Sequence, residues 1–159
     1  MNRMNPMIDR YSTGGPLLVY ATSGLSPLHE VTPAGPGEWS IAQLVVHLLD
    51  SDLVGSDRMK RVAAMDEPVL LAYDQDRFVE RLGYPATDAA LAAELFALNR
   101  RYTADLLRRL PDEAFRRVGN HSENGPMTLE QLVGGYVDHV EHHAGFARRK
   151  RAMIGKPLR

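Results

Sequence analysis

The chain has 159 residues, 19 Lys and Arg against 20 Asp and Glu, a formal charge of −1 and no cysteine. That length suits one domain with a full apolar core, and the balanced charge gives no electrostatic footprint for nucleic acid or an anionic membrane. Without cysteine there are no disulfides, thiolate metal sites or cysteine nucleophiles, so any thiol chemistry must use a thiol from outside the chain. The start, Met-Asn-Arg-Met-Asn-Pro, lacks the basic-then-apolar pattern of a signal peptide, and no apolar run approaches membrane length. A cytoplasmic protein is the expectation.

In chain order, residues 1–15 read as a loose lead-in ending at Gly14-Gly15, followed by a short apolar helix from Pro16 that stops near Gly24. Ser26 to Glu38 is rich in Pro and Gly and reads as a connector. Ser40-Ile41-Ala42-Gln43 is a capping box. It opens a helix to about Ala63 whose first half is apolar on nearly every side, as in a helix packed centrally in a bundle. Asp66 to Pro85 breaks the helical pattern, with a short helix over Asp74 to Arg81.

Thr87 is the expected N-cap of the next long helix, to about Leu110, with Leu91, Leu95, Leu98, Tyr102 and Leu106 as its core stripe. Val118 to Pro126 reads as a loop. A second capping box, Thr128-Leu129-Glu130-Gln131, opens a final helix to about Met153. With no sustained alternation anywhere, the expected class is all-α, a four-helix bundle in a single domain over 1–159.

Three of the six histidines lie within Asp138-His139-Val140-Glu141-His142-His143. On a helical wheel of about 100° per residue, His143 falls near the centre of the stripe formed by Leu129, Leu132, Val133, Tyr136, Val140, Ala147 and Ile154. His139 falls on its shoulder and His142 towards the edge. The inward pair, four residues apart, can offer two imidazoles to one ion. His47, at the edge of the buried face of the helix opened by Ser40, can supply a third. Three neutral imidazoles leave positions open for water or substrate and suit zinc or nickel. Each part has a plainer reading: His47 alone fits a satisfied core or rim histidine, and His-x-x-x-His spacing arises by chance on many helices. His29 and His121, both in loops, read as surface or capping residues. Asp50 and Tyr136 are the candidate catalytic side chains beside the histidines, although the wheel turns Asp50 to solvent and puts Tyr136 in the core stripe. Arg148 to Arg151 read as a solvated helix end favoured by the helix dipole.

Taken together, Gly37-Glu38-Trp39-Ser40 through His47 to Asp50, Ala72-Tyr73-Asp74, His121 through Gly125 to Leu129, and His139-Val140-Glu141-His142-His143 resemble the DinB-like superfamily, particularly its YfiT-type branch, over residues 36–155. The resemblance implies an up-down-down-up four-helix bundle and a divalent metal held by His47, His139 and His143. It further implies an activity on a small molecule: transfer of a low-molecular-weight thiol to an electrophile, or hydrolysis. The alternative is a non-catalytic metal-binding or stress-responsive bundle. A homodimer is the expected assembly, the commonest state for small proteins of this kind.

Overall fold

The computed structural model describes residues 3–158. Four long helices carry the fold: α1 (Asn5–Thr22), α3 (Ile41–Ala64), α5 (Ala89–Arg108) and α6 (Leu129–Met153), with short helices α2 (Pro27–Val31) and α4 (Gln75–Arg81) between them. Residue pairs fix their directions. Arg3 bonds Glu130 and Arg10 bonds Glu141, so α1 and α6 run parallel. His47 faces His143 while Gly55 faces Tyr136, so α3 and α6 are antiparallel. Asp9 meets Arg108 and Gly14 meets Arg100, so α1 and α5 are antiparallel. Asp52 meets Arg100 and Lys60 lies over Tyr102, so α3 and α5 are parallel. The order is up-down-down-up, as expected.

Both capping boxes form. The Ser40 hydroxyl accepts the Gln43 N–H, and the Thr128 hydroxyl accepts the Gln131 N–H. Asp74 caps α4 at the expected place, whereas Asp88 rather than Thr87 caps α5.

Two expectations about the helices fail. Residues 5–15 are not a lead-in but the first half of α1, with Ile8, Tyr11, Gly14, Gly15 and Leu18 buried at helical spacing. Gly14-Gly15 is a close-approach point instead of a break: a Cβ at Gly15 would stand 3.0 Å from the Ala97 Cα on α5. The face of α5 is also turned. Leu91, Leu95, Leu98 and Tyr102 are exposed, and the helix buries Ala89, Ala92, Ala93, Phe96, Arg100, Thr103, Ala104 and Leu107. Alanines alternate with Phe96, Arg100 and Leu107 on this face, which lets α5 approach α1 closely at Gly15 and Ala97.

The bundle also carries a small three-stranded sheet that the absence of alternation conceals: β1 (Val69–Leu70), β2 (Val118–His121) and β3 (Gly125–Thr128). β1 pairs parallel to β2, and β2 pairs antiparallel to β3. These strands are two to four residues long, too short for periodicity to register. Short α2, with His29 in its capping box, sits inside the expected connector.

Two apolar clusters fill the interior. One holds Ile41, Leu44, Leu48, Phe96 and Val140 at the histidine end. The other holds Ile8, Met59, Leu107, Phe115 and Val133 at the sheet end. No described helix is long and apolar enough to cross a membrane.

Candidate metal centre

His47 comes from the largely buried first half of α3, and His139 and His143 come from successive turns of α6 that face it. The ring centroids are 5.3 Å apart for His47 and His139, 5.2 Å for His47 and His143, and 4.6 Å for His139 and His143. One ring nitrogen from each residue lies within 4.8 Å of the other two. The three side chains singled out from the wheel therefore converge. His142 stays outside the group, exposed and turned against Phe146.

Electrostatics hold all three imidazoles neutral. Each has a pKa lowered from 6.5 to about 4, first by burial and then because a proton on one imidazole disfavours a proton on its neighbour. Neutral imidazole is the form that donates a lone pair to a metal. The Nδ1 of His143 is buried without a hydrogen-bond partner, an arrangement that is costly for a polar atom. The Trp39 ring stands 5.2 Å from that of His47 and covers it on one side. A cysteine-free, three-imidazole donor set with an unsatisfied buried nitrogen fits a divalent metal ion.

The DinB superfamily profile matches residues 17–147, a range that includes all three histidines. The chain belongs to the DinB superfamily. It is 35% identical over 117 residues to YfiT of Bacillus subtilis (strain 168), covering 70% of this chain and 64% of YfiT. A relative in Halalkalibacterium halodurans is 30% identical over 116 residues, covering 73% of this chain and 66% of its own length. Both relatives are provisionally named metal-dependent hydrolases. The match spans just under two thirds of the length of these relatives. The solved structure of B. subtilis YfiT, described provisionally as a metal-dependent hydrolase with an unusual four-helix bundle topology, superposes with a TM-score of 0.88 at 25% identity, over 96% of this chain and 88% of that one.

The other sequence candidates of this DinB-superfamily chain fall in different places. Asp50 is half-buried and accepts a hydrogen bond from the Tyr84 hydroxyl, so it is neither free in solvent nor part of the convergent group. Tyr136 lies one turn before His139, half-buried, with its hydroxyl accepting Nη1 of Arg58 at 3.1 Å. Its pKa is raised, mainly by burial.

Lys150 and Arg151 are not a solvated helix end. Lys150 is buried against Glu38 at 2.9 Å, and Arg151 donates to the carbonyls of Ala21, Ser23 and Lys156.

His121 is the residue that sequence reasoning missed. It is 8% exposed, at the end of β2, and lines the same pocket as His139 and Tyr136. Its signal was its place in the His121-to-Leu129 motif, which local spacing alone could not orient.

Proposed function

We propose that the chain is a metal-dependent enzyme acting on a small molecule, a hydrolase or a transferase of low-molecular-weight thiols, with a divalent ion held by His47, His139 and His143. The observation that carries this reading is the convergence of three neutral imidazoles, one with an unsatisfied buried nitrogen. When bound, the ion supplies Lewis acidity that makes a water or a thiol nucleophilic at neutral pH.

The residues of the chain do the remaining work. His47, His139 and His143 keep their lone pairs unprotonated down to about pH 4. Trp39 packs over His47 and limits access of bulk water from that side. His143 also borders an apolar pocket of about 290 Å³ walled by Leu17, Leu44, Leu48 and Ala147, which can take the carbon skeleton of a substrate. The thiol of a transfer reaction comes from a second substrate, because the chain has none. Substrate-sized pockets against the histidines favour this reading over a purely metal-binding role.

The test measures metal content by elemental analysis and turnover of zinc- and nickel-loaded protein. One arm supplies monochlorobimane with glutathione or bacillithiol, the other p-nitrophenyl esters. About one ion per chain and turnover in one arm, both lost in His47→Ala, are expected. An ion without turnover in either arm assigns a non-catalytic metal-binding role. A chain that takes up no ion overturns the proposal.

A further inference from the structure

His139 also walls a second pocket, of about 240 Å³, between α3, α6 and the small sheet. The other lining residues that matter are Ser51, Arg58, His121, Asn124, Gly135 and Tyr136, and no Asp or Glu lines it.

Arg58 sets the charge of this pocket. It is 9% exposed; its Nη1 donates to the Tyr136 hydroxyl and its Nη2 to the Leu71 carbonyl. Its Nε is buried without any acceptor. Arg100 and Lys150 pair with Asp52 and Glu38, each at 2.9 Å. Arg151, like Arg58 without a carboxylate among the described residues, directs its N–H groups to three carbonyls and leaves no buried nitrogen unpartnered. Among the described residues no carboxylate forms an ion pair with Arg58. A guanidinium held out of water without a counter-charge is costly, and an anion beside it offsets that cost.

The neutral groups around it are arranged as donors. Nδ1 of His121 accepts the backbone N–H groups of Glu123 and Asn124, both at 3.3 Å, so its proton sits on Nε2. Burial and the charge of Arg58 keep this imidazole uncharged, against the weaker pull of Glu123 in the exposed turn. The Tyr136 hydroxyl accepts from Arg58, which leaves its own proton to donate. A planar cation with imidazole and phenol donors beside it is the chemistry that recognises an oxyanion.

We infer that this pocket seats the acidic group of the substrate, a carboxylate or a phosphate ester, on Arg58, with His121 and Tyr136 as its neutral donors, so that the centre acts on organic anions. The inference rests on the proposed metal centre for what is done to the substrate; the binding of the anion does not depend on it. Arg58 and His139 line the same pocket, so an acid group at Arg58 leaves the rest of the molecule beside His139.

Benzoate, phenyl phosphate and neutral benzamide are titrated into the full chain, zinc-loaded and EDTA-stripped, by calorimetry and NMR. In the stripped protein a bound anion has no ion to ligate, so its affinity reports the pocket alone. Saturable binding of benzoate or phenyl phosphate but not benzamide is expected, and the preferred anion names the acid. Arg58→Gln weakens it about ten- to hundred-fold, the loss of one charge-assisted pair, while zinc uptake is unchanged. Gly135→Leu is the second variant, because Gly135 lines the pocket and a Cβ there meets nothing within 4 Å, so an added side chain takes up pocket space; it is expected to weaken anion binding as well. Benzamide binding as tightly as the anions, or anion affinity indifferent to both variants, overturns the inference. Anion binding by a chain that never takes up metal would overturn the metal centre and leave the pocket standing.

Discussion

Gly55 of α3 lies under the ring of Tyr136 of α6 so closely that a Cβ at Gly55 would come within 2.3 Å of the ring's Cζ. This contact sets where the Tyr136 hydroxyl meets Arg58. Gly55→Ala is expected to push the ring aside at a cost of about 1–3 kcal/mol for overpacking, offset by roughly 1 kcal/mol from the better helix propensity of alanine. Urea denaturation measures the net loss, about 0–2 kcal/mol, and a midpoint above that of the wild type would show that the ring can move freely. The ring is half-buried among α3 side chains, so free movement is not expected.

A metal held by His47, His139 and His143 couples to folding, because the unfolded chain does not hold the three imidazoles together. Zinc at a hundred times its dissociation constant is expected to add about 2.7 kcal/mol of stability, roughly 5–10 °C in melting temperature for a domain of this size. EDTA reverses the shift. His143→Ala and His139→Ala lose it, whereas His142→Ala keeps it, because His142 stands outside the convergent group. Thermal melts with and without zinc make the comparison, and an equal shift in all variants would move the ion elsewhere.

Without metal, the same histidines give stability a definite pH dependence. Their folded pKa values are about 4 against an ordinary 6.5, so between those limits the unfolded chain binds more protons than the folded one. Stability therefore rises with pH in that window and is flat for this group above it. Lowering the pH from 7 through 5 in EDTA is expected to lower the urea midpoint steadily. A His47→Leu variant, which has one fewer proton to take up, is expected to show a shallower fall. Parallel slopes for the two proteins would contradict the assignment.

Local chemistry was legible in the sequence, and close approach was not. The Ser40 and Thr128 capping boxes and the inward pair His139 and His143 depend on neighbours within four residues, so spacing alone located them. Gly14-Gly15 looks the same to a sequence reader whether it ends a helix or lets another helix in, and here α5 fills the space. The leucines of α5 fit the usual apolar stripe, but the face that packs on α1 and α3 is the one carrying Ala92, Ala93, Phe96, Arg100 and Leu107. His121 is placed by the parallel pairing of β1 with β2, a contact between residues about fifty positions apart that no local pattern encodes.

The same close approach explains the buried pair Asp52 and Arg100, which lies between the two apolar clusters along each helix. Both side chains are 1% exposed. Arg100 donates to Asp52 at 2.9 Å and to the carbonyls of Tyr11 and Tyr136 at 3.0 and 2.6 Å, tying α5 to the other three long helices. Tyr11 and Asn99 also donate to the Asp52 carboxylate. Removing one partner leaves the other charge buried, so Asp52→Ala and Arg100→Met are each expected to cost about 3–5 kcal/mol. The double variant is expected to cost less than their sum, because neither charge is then left alone. Gly14 supplies an independent check. A Cβ there would stand 2.5 Å from Arg100 Nη1, so Gly14→Ala should be destabilising in the wild type and better tolerated once Arg100 is methionine. The contact of the same Cβ with Val140, at 3.1 Å, persists in both backgrounds and leaves part of the penalty. Urea midpoints across these variants measure the coupling, and strict additivity would show that the guanidinium does not occupy the space beside Gly14.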